Sequence, residues 1–378
     1  MSLRVLIAPD KFKGTLSAKN AARAMARGWK KSRPEDVLEL LPISDGGDGF
    51  GEIISQLIGA KPRKIKTVNA AHQPIETMWW WNAKTKTAVI ESAKIIGLAM
   101  LPPKTFHPFQ LDTFGLGKVL RAVQKRGCRH CVIGIGGSAT NDGGFGMARA
   151  LGWKFLDQQG KIIESWIELK SLAKIASPKT ARMKITVAVD VQNPLLGSRG
   201  ATRIYGPQKG LREDDFDIAE NALRKLAQVL SSAFRRSGNR LKAELQTKDF
   251  AKIPGAGAAG GLGFGLMAFL GAKPESGFEI FSLAANLEKR LLKKDLVLTG
   301  EGAIDRQTLM GKGVGQIALL CQKYRIPCIG IAGVVLEPDK AKKLFTLTRG
   351  LTETTSLKNA KSHPEKYLEK LAKKIAQG

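Results

Sequence analysis

The segment that decides the fold class reads Leu3-Arg4-Val5-Leu6-Ile7-Ala8-Pro9-Asp10-Lys11-Phe12-Lys13-Gly14. Its apolar run, residues 3–8, ends at a proline and an aspartate, as is typical of a buried parallel strand. From Ser17, a common N-cap residue, apolar residues recur at helical spacing and predict an amphipathic helix. Residues 37–43 predict a second strand. This β-α-β opening indicates a parallel sheet with a right-handed crossover.

The same alternation of strands and helices closes the chain. Its predicted elements are strands at residues 295–299, 328–332 and 345–348, a helix at 312–323, and a last helix that opens with the capping-box pair Ser362 and Glu365. The middle of the chain is less regular. Its predicted elements are a hairpin of residues 75–81 and 87–92, helices at 113–125 and 214–234, and strands at 131–135 and 187–189.

These patterns predict an α/β fold of two domains, which a length of 378 residues also favours. The expected domains are a Rossmann-like parallel-sheet domain made from both chain ends, residues 1–66 and 288–378, and an inserted second α/β domain, residues 67–287. The placement of residues 112–150 stays open, because the strand at 131–135 also fits the first sheet. Chain crossings near residues 64–69 and 287–294 are the expected hinges.

The chain is strongly basic, with 61 Lys and Arg against 33 Asp and Glu and a formal net charge of +28. A nucleic-acid-binding protein is one explanation. However, the positive charge is spread along the chain, and no long basic block or RNA-binding aromatic motif accompanies it. We therefore expect a lysine-rich solvated surface that partly serves anionic substrates, and no nucleic-acid partner.

Residues 254–272 carry no charge and are long enough to be tested as a membrane span. Seven of these nineteen residues are glycine and the first is proline. A glycine-rich loop that leads into a buried helix therefore explains the segment better, and we expect no membrane partner. The N-terminus lacks the features of a signal peptide, so we expect a cytoplasmic protein.

The chain has four cysteines, Cys128, Cys131, Cys321 and Cys328. The first two form a C-x-x-C pair, which is compatible with a redox pair or with half of a zinc site. A zinc site needs a second close pair, and Cys321 and Cys328 are too far apart in sequence to supply one. Structural thiols in a reducing cytosol are therefore favoured.

Glycine-rich polar segments follow predicted strands or open predicted helices at five places. They are residues 9–14, 44–49, 134–144, 255–263 and 299–308. In open α/β sheets ligands bind at the carboxyl ends of the strands, where such segments lie. A single Asp-Gly or Gly-Gly pair is usually only a turn. Five segments that each add carboxylate, hydroxyl or amide groups indicate a binding site.

The chemistry of these segments matches phosphoryl transfer. Glycines let backbone N–H groups approach phosphate oxygens, carboxylates hold Mg²⁺, and lysines offset the charge of the transferred group. The ionisable residues are Asp10, Asp45, Asp48, Asp142, Glu301 and Asp305, with Lys11, Lys13 and Lys312 nearby. A Walker A loop is excluded, because Lys312 is followed by Gly313 and Arg306 stands at the position of the first glycine. The residues alone indicate an α/β enzyme that acts on anionic ligands.

In these segments the chain resembles the bacterial glycerate kinase family, of the glycerate 2-kinase type. Residues 8–14 are close to the family's A-P-D-S-F-K-G, and residues 136–144, 206–210, 255–263 and 299–312 match as well. The usual A-D-G-G-E-G-T appears here as residues 44–50, with Asp48 and Phe50 substituted, and Lys11 replaces a small residue. The resemblance implies ATP and Mg²⁺, a cleft between two domains, and D-glycerate as acceptor. It implies 2-phosphoglycerate as product, with 3-phosphorylation left open.

The matching motifs also supply residue roles as expectations. The catalytic candidates are Asp190, Asp45 and Lys13, and the substrate-binding candidates are Asp10, Lys11, Asn193 and Lys209. The nucleotide-binding candidates are Gly137, Ser138, Asn141, Gly257, Gly260, Gly261, Glu301 and Lys312, and the metal ligands are Asp142 and Asp305. Asp190 is the expected base, because it follows an apolar strand that would hold its carboxylate rigidly. The four histidines lie outside the motifs, which disfavours a histidine mechanism.

The expected partners are therefore the small molecules ATP and D-glycerate, and association into a homo-oligomer is left open. Two alternatives of another class remain at this point. One is a non-catalytic sensor of a nucleotide or sugar acid, which would bind its ligand without turnover. The other is the basic nucleic-acid-binding protein considered above.

Overall fold

The computed structural model describes residues 2–178, 183–236, 249–311 and 313–378, and strands and helices are numbered here in chain order. The strands are Arg4–Ile7 (β1), Val37–Leu40 (β2), Lys61–Val68 (β3), Pro74–Asn82 (β4), Thr87–Glu91 (β5), His130–Gly134 (β6), Lys154–Leu156 (β7), Lys174–Ala176 (β8), Lys184–Ala188 (β9), Lys273–Glu275 (β10), Leu296–Ile304 (β11), Cys328–Val335 (β12) and Leu347–Gly350 (β13).

The helices alternate with these strands through most of the chain. They are Ala18–Lys30 (α1), Phe50–Leu57 (α2), Ala93–Ile96 (α3), Phe114–Lys125 (α4), Phe145–Ala150 (α5), Ala201–Lys209 (α6), Glu213–Arg236 (α7), Ala258–Leu270 (α8), Gly277–Ala285 (α9), Leu287–Leu291 (α10), Arg306–Leu309 (α11), Val314–Lys323 (α12), Pro338–Ala341 (α13), Leu357–Ser362 (α14) and Pro364–Ile375 (α15). The expected α/β class with parallel sheets is confirmed.

The chain divides into two compact units. Residues 1–45 and 278–378 form the terminal unit, and residues 46–277 form the inserted unit. The architecture is the expected one. The boundaries between the units, however, lie at 45/46 and 277/278 and not at the expected 66/67 and 287/288. At the first boundary, α2 packs on the inserted sheet and β3 pairs along its length with β4. Residues 64–69, the first expected hinge, therefore lie largely within a paired strand.

The open placement of residues 112–150 is resolved by strand pairing. Strand β6 lies between β5 and β9 and is parallel to both. The segment therefore belongs to the inserted unit. At the second boundary, α9 and α10 come directly before β11 and belong to the terminal unit, so residues 287–294 are not a crossing between the units.

The terminal unit is built on a parallel sheet in the order β13-β12-β11-β1-β2. Strand β1 is buried in its interior, where Val5, Leu6 and Ile7 are fully shielded from solvent. Helix α1 begins as predicted at Ser17, whose hydroxyl accepts a hydrogen bond of 3.2 Å from the backbone N–H of Asn20. The apolar face of α1 packs against α15.

The start of α15 differs from the prediction. The capping box was expected at Ser362, but the Ser362 hydroxyl donates to the backbone oxygen of Lys358 in the preceding helix. Helix α15 begins at Pro364, directly after His363, which makes no side-chain cap. The capping residue of this region is Ser356, whose hydroxyl accepts from Asn359 at the start of α14.

The inserted unit contains a mixed sheet in the order β10-β9-β6-β5-β4-β3. Strands β3, β4 and β5 are antiparallel neighbours, as the predicted hairpin requires, and β5, β6, β9 and β10 are parallel. The run Trp79-Trp80-Trp81 lies in β4 and is buried on both faces of the sheet. It is therefore part of the core.

The uncharged segment 254–272 forms a turn and a buried helix, as expected. Helix α8 opens with three consecutive residues in the left-handed region, Ala259, Gly260 and Gly261. Its side chains from Leu262 to Phe269 are buried in the inserted unit. Across the described ranges, no helix combines the length and apolar character needed to cross a membrane.

All four cysteines are buried free thiols. Cys128 and Cys131 flank the start of β6, and the Cys128 thiol donates to the backbone oxygen of His130. Burial raises the pKa of the Cys131 thiol well above its ordinary value. A thiol that stays protonated is a poor nucleophile and a poor metal ligand.

Gly28→Ala should destabilise the terminal unit. In an open helix position the change would stabilise by about 1 kcal/mol. At Gly28 the added Cβ would lie 2.1 Å from the backbone oxygen of Glu369 in α15. The two helices would have to separate, which costs about 1–3 kcal/mol. We expect a lower midpoint of thermal unfolding than for Gly378→Ala, the same change where a Cβ meets nothing within 4 Å. An unchanged midpoint would contradict the close helix contact.

Candidate functional site

In the terminal unit, three polar loops meet at one edge of the sheet. They follow β1 and β2 and run along the end of β11, and these three strands are parallel neighbours. The backbone N–H of Asp10 donates to Gly300 in β11 over 2.8 Å, which fixes the first loop. The Lys11 ammonium lies 3.5 Å from the Asp45 carboxylate on the second loop. The structure thus brings the predicted residue Lys11 close to Asp45, which lies 34 positions away in the sequence.

Glu301, a predicted nucleotide-binding residue, lies at the centre of this edge. Its Oε1 accepts a hydrogen bond of 2.7 Å from the Thr308 hydroxyl. Burial, together with the negative charges of Asp10, Asp305 and Asp45, raises the pKa of Glu301 to about 7 against the effect of that hydrogen bond. We call Asp10, Asp45, Glu301 and Asp305 the carboxylate cluster. A bound cation would stabilise the charged form of these four carboxylates.

The surroundings of the cluster are formed by tight backbone turns. The Asp305 carboxylate accepts from the N–H groups of Gln307 and Thr308 and so caps α11. A Cβ on Gly313, at the start of α12, would lie 3.5 Å from Glu301 Oε2 and 3.9 Å from Asp10 Oδ2. The Lys13 side chain is exposed. Lys312, a predicted nucleotide-binding residue, lies outside the described residues.

In the inserted unit, the glycine-rich loop after β6 is organised by Asp142. This carboxylate is fully buried and accepts four hydrogen bonds: from the N–H and hydroxyl of Thr113 and from the N–H groups of Gly144 and Gly146. Burial and the nearby Asp112 raise the pKa of Asp142 to about 6. Asp142 thereby joins the starts of α4 and α5. These hydrogen bonds give Asp142 a structural role, and its role as a metal ligand stays a prediction.

Lys209, a predicted substrate-binding residue, is also buried, with 6% of its surface exposed. Its ammonium donates to the backbone oxygen of Thr140 over 2.6 Å. A Cβ on Gly260 would lie 2.7 Å from the same nitrogen, so the left-handed turn of α8 fits closely over it. Burial lowers the pKa of Lys209 to about 7, although the Asp142 carboxylate opposes the shift. Lys209 therefore ties the loop at Thr140 to the turn at Gly260.

Two predicted nucleotide-binding residues lie in the same loop. The Ser138 and Thr140 hydroxyls share a hydrogen bond of 2.9 Å. Asn141 donates to the Thr202 hydroxyl over 3.1 Å. Its Oδ1 is buried and accepts no hydrogen bond from the described residues. Gly137 has a left-handed backbone conformation. A Cβ added to Gly137 would lie 3.0 Å from Asp48 Oδ1.

Asp190, the expected base, follows β9 directly at the carboxyl edge of the inserted sheet. Its Oδ1 accepts from the Ser276 hydroxyl over 3.1 Å and from the Gly277 N–H over 3.0 Å. The neighbouring Asn193 accepts from the Tyr205 hydroxyl and donates to the backbone oxygen of Arg199. The N–H of Gly257 donates to the backbone oxygen of Asn193 over 2.9 Å. Asn193 thus stabilises the loop that holds Gly257.

Sequence reasoning missed Glu91, which ends β5. Its carboxylate accepts from the N–H groups of Gly49 and Gly51 at the start of α2, over 3.0 and 2.9 Å. Burial raises the pKa of Glu91. The residue therefore positions the glycine-rich loop of Asp48. An acidic residue at the end of an otherwise apolar strand was the signal in the sequence.

The comparisons with known proteins agree on one family. The family model described as the glycerate kinase family matches residues 5–378. A glycerate kinase of Halalkalibacterium halodurans is 36% identical over 98% of this chain and 97% of that protein. The glycerate 2-kinase of Escherichia coli K12 is 38% identical over 88% of this chain and 85% of that protein. A solved structure of a candidate glycerate kinase 2 from Salmonella typhimurium LT2 is 32% identical, with a TM-score of 0.81, over 100% of this chain and 98% of that one.

Glu301→Gln should make stability less dependent on pH. A folded-state pKa of about 7, above the ordinary 4.5, means that the folded protein holds this proton more tightly than the unfolded chain. Stability therefore falls as the pH rises from about 4.5 through 7. We expect the variant to unfold at a temperature a few degrees above the parent at pH 8, and near the parent at pH 5, without divalent cations.

The matched control is Glu279→Gln, which removes an exposed carboxylate of the same unit. It should not reproduce the difference between pH 8 and pH 5. An equal shift of Glu301→Gln at both pH values would show that ionisation of the buried Glu301 carboxyl is not its cause.

Proposed function

Because the chain belongs to the glycerate kinase family, and is therefore a phosphotransferase, we propose that it transfers the γ-phosphoryl group of ATP to D-glycerate with the help of Mg²⁺. The observation that carries the proposal is the carboxylate cluster, which lies beside glycine-rich turns at the carboxyl edge of a parallel sheet. Cation and phosphate sites of α/β enzymes are built at such edges.

The carboxylate cluster fits an Mg²⁺ ion that is held by one or two carboxylates and not by a full set of protein ligands. In the described part of the chain, no group of three His, Cys, Asp or Glu side chains forms a ready metal cage. Mg²⁺ rarely requires one, since it usually keeps waters and binds one or two carboxylates together with substrate phosphates. The raised pKa of Glu301 supports a cation here. Asp10 and Glu301 of the terminal unit would hold the ion. When bound, the ion would offset the negative charge of the phosphates.

We propose Asp190 as the base that accepts the proton of the attacking glycerate hydroxyl. The hydrogen bonds from Ser276 and Gly277 fix its Oδ1 and so orient the carboxylate. Lys11 and Lys13 then bind the negative charge of the substrate, as lysines do in phosphoryl transfer. Asp45, which lies near Lys11, is the second candidate for the base.

We further propose the 2-hydroxyl of glycerate as the acceptor, a regiochemistry supported by the name of the Escherichia coli relative. Phosphorus NMR distinguishes the two products. In 2-phosphoglycerate the phosphorus couples to one proton of a CH group, and in 3-phosphoglycerate it couples to the two protons of a CH₂ group. A doublet in the proton-coupled spectrum supports this proposal, and a triplet rejects it.

The protein should form ADP with D-glycerate and Mg²⁺, and far more slowly with glycerol. Glycerol lacks the carboxylate that the lysines should orient, so its loss should lower kcat as well as weaken binding. The measurement is coupled ADP release, with EDTA as the metal-free control. Equal kcat/KM for the two acceptors would reject glycerate as the substrate.

Asp190→Asn should fold normally and lower kcat by about 100-fold or more, the usual effect of losing a general base. Asp217→Asn is the control, because the Asp217 side chain lies in the same unit, is 87% exposed and forms an ion pair with the surface residue Arg203. It should keep the kcat of the parent. If Asp190→Asn also keeps it, Asp45 becomes the base to test.

A further inference from the structure

One cavity of the terminal unit has no role in the site described above. It is a groove of about 720 Å³ between α9–α10 on one side and α12 on the other, closed by the turn at Met310 and Gly311. Its apolar walls are unusually exposed: Leu283 is 79% exposed, Met310 74% and Leu319 49%. Exposed leucine and methionine side chains around one groove mark a binding surface.

The groove is also lined by polar groups, namely the charged residues Glu279, Glu288 and Lys289 and three uncharged polar side chains. Ser282 and Asn286 come from α9 and its end, and Gln316 comes from the facing side of α12. An amide carries both donors and an acceptor, so two amides can match the mixed edge of a heteroaromatic base while leucines cover its faces. The volume lies within the range of small-molecule sites. The groove is therefore suited to a flat, largely apolar ring with a polar rim.

The groove and the carboxylate cluster are bordered by residues that lie close together in the sequence. Gly311 lines the groove, and a Cβ added to it would lie 3.1 Å from Cδ1 of Leu319. Two residues later, Gly313 borders Glu301 and Asp10, as described above. Between the two regions α12 begins, a helix of ten residues whose N-terminus favours anions. Along this path an apolar groove is followed by a helix N-terminus and then by carboxylates that suit a cation.

We propose that this groove binds the base of a purine nucleoside triphosphate, with its phosphates toward the start of α12 and its cation at the carboxylate cluster. The order of apolar, electropositive and acidic surfaces matches the order of base, phosphates and metal ion in such a ligand. The inference rests on the proposed function, because it takes ATP as the donor. It adds a binding site for the base on α9, α10 and α12.

Photolabelling tests the location without relying on activity. The intact protein is irradiated with 8-azido-ADP, digested, and the modified peptides are identified by mass spectrometry. We expect labelled peptides from residues 278–291 or 309–320, and protection by excess ADP. Protectable labelling confined to residues 46–277 would overturn the inference. If neither labelling nor ATP turnover occurs, the proposed function fails together with it.

A double variant tests the role of the groove in affinity. Leu283→Asn with Leu319→Asn replaces two apolar contacts by uncharged amides of similar size. We expect about tenfold weaker binding of ADP by calorimetry, because a lost apolar contact of this size corresponds to about one decade in Kd. Binding of inorganic pyrophosphate and the KM for D-glycerate should stay unchanged, because neither ligand has a base.

The matched control is Leu336→Asn with Leu357→Asn, which alters two exposed leucines of the same unit outside the groove. It should bind ADP as the parent does. Unchanged ADP affinity in the groove variant, while ATP turnover is normal, would overturn the inference and leave the proposed function intact. If the groove variant instead keeps its ADP affinity but converts an oligomer to a monomer, the groove is a contact between copies of the chain, and the inference is again overturned.

Discussion

The pairing of β1 with β11 joins two strands from opposite ends of the sequence. Val5 lies opposite Leu296 and Ile7 opposite Leu298. Past the ends of the paired residues, the Thr299 hydroxyl donates to the backbone oxygen of Ala8, 291 positions away, over 2.6 Å. This pairing aligns the loop of Asp10 with the end of β11. The carboxylate cluster exists only because the two strands are in this register.

The cluster shows a conflict between folding and ligand binding. Placing Glu301 near three other carboxylates in a partly buried position disfavours its charged form. The folded terminal unit must therefore overcome repulsion that the unfolded chain lacks. Buried aliphatic residues such as Leu6 and Leu298 supply the stability that permits it. Residual repulsion of this kind is useful at a binding site, because a cation that relieves it binds more tightly.

Local patterns predicted most of the fold. The apolar run of β1, the N-cap at Ser17 and the hairpin of β4 and β5 depend on a few neighbouring residues, and all were correct. The domain boundaries of the structure differ from the expected ones, because they depend on which strands pair, and the sequence of β3 alone does not show that it pairs with β4. The capping box at Ser362 did not form, because Ser362 is the last residue of the preceding helix α14 and its hydroxyl donates to the backbone oxygen of Lys358 within that helix.

The site was predicted less completely than the fold. Loops after parallel strands identified Asp10, Asp45 and Glu301, because strand ends at one sheet edge must lie close together. Sequence could not show that Asp142 would be enclosed by donors, since Thr113 lies 29 positions away. An aspartate after glycines has the same sequence signature whether it binds a metal or caps helices. Only burial and hydrogen-bond partners separate these roles.

The insertion of one unit into the other also sets an order of events during synthesis. Strand β1 leaves the ribosome long before β11 is made, at about 5–20 residues per second some 15–60 s earlier. Residues 46–277 are complete in the meantime and can fold as a body. Throughout that interval Val5, Leu6 and Ile7 lack the strand that covers one edge of β1 in the finished protein. The nascent chain therefore carries an apolar strand edge that invites mispairing, and cellular folding helpers have most reason to act on its first residues.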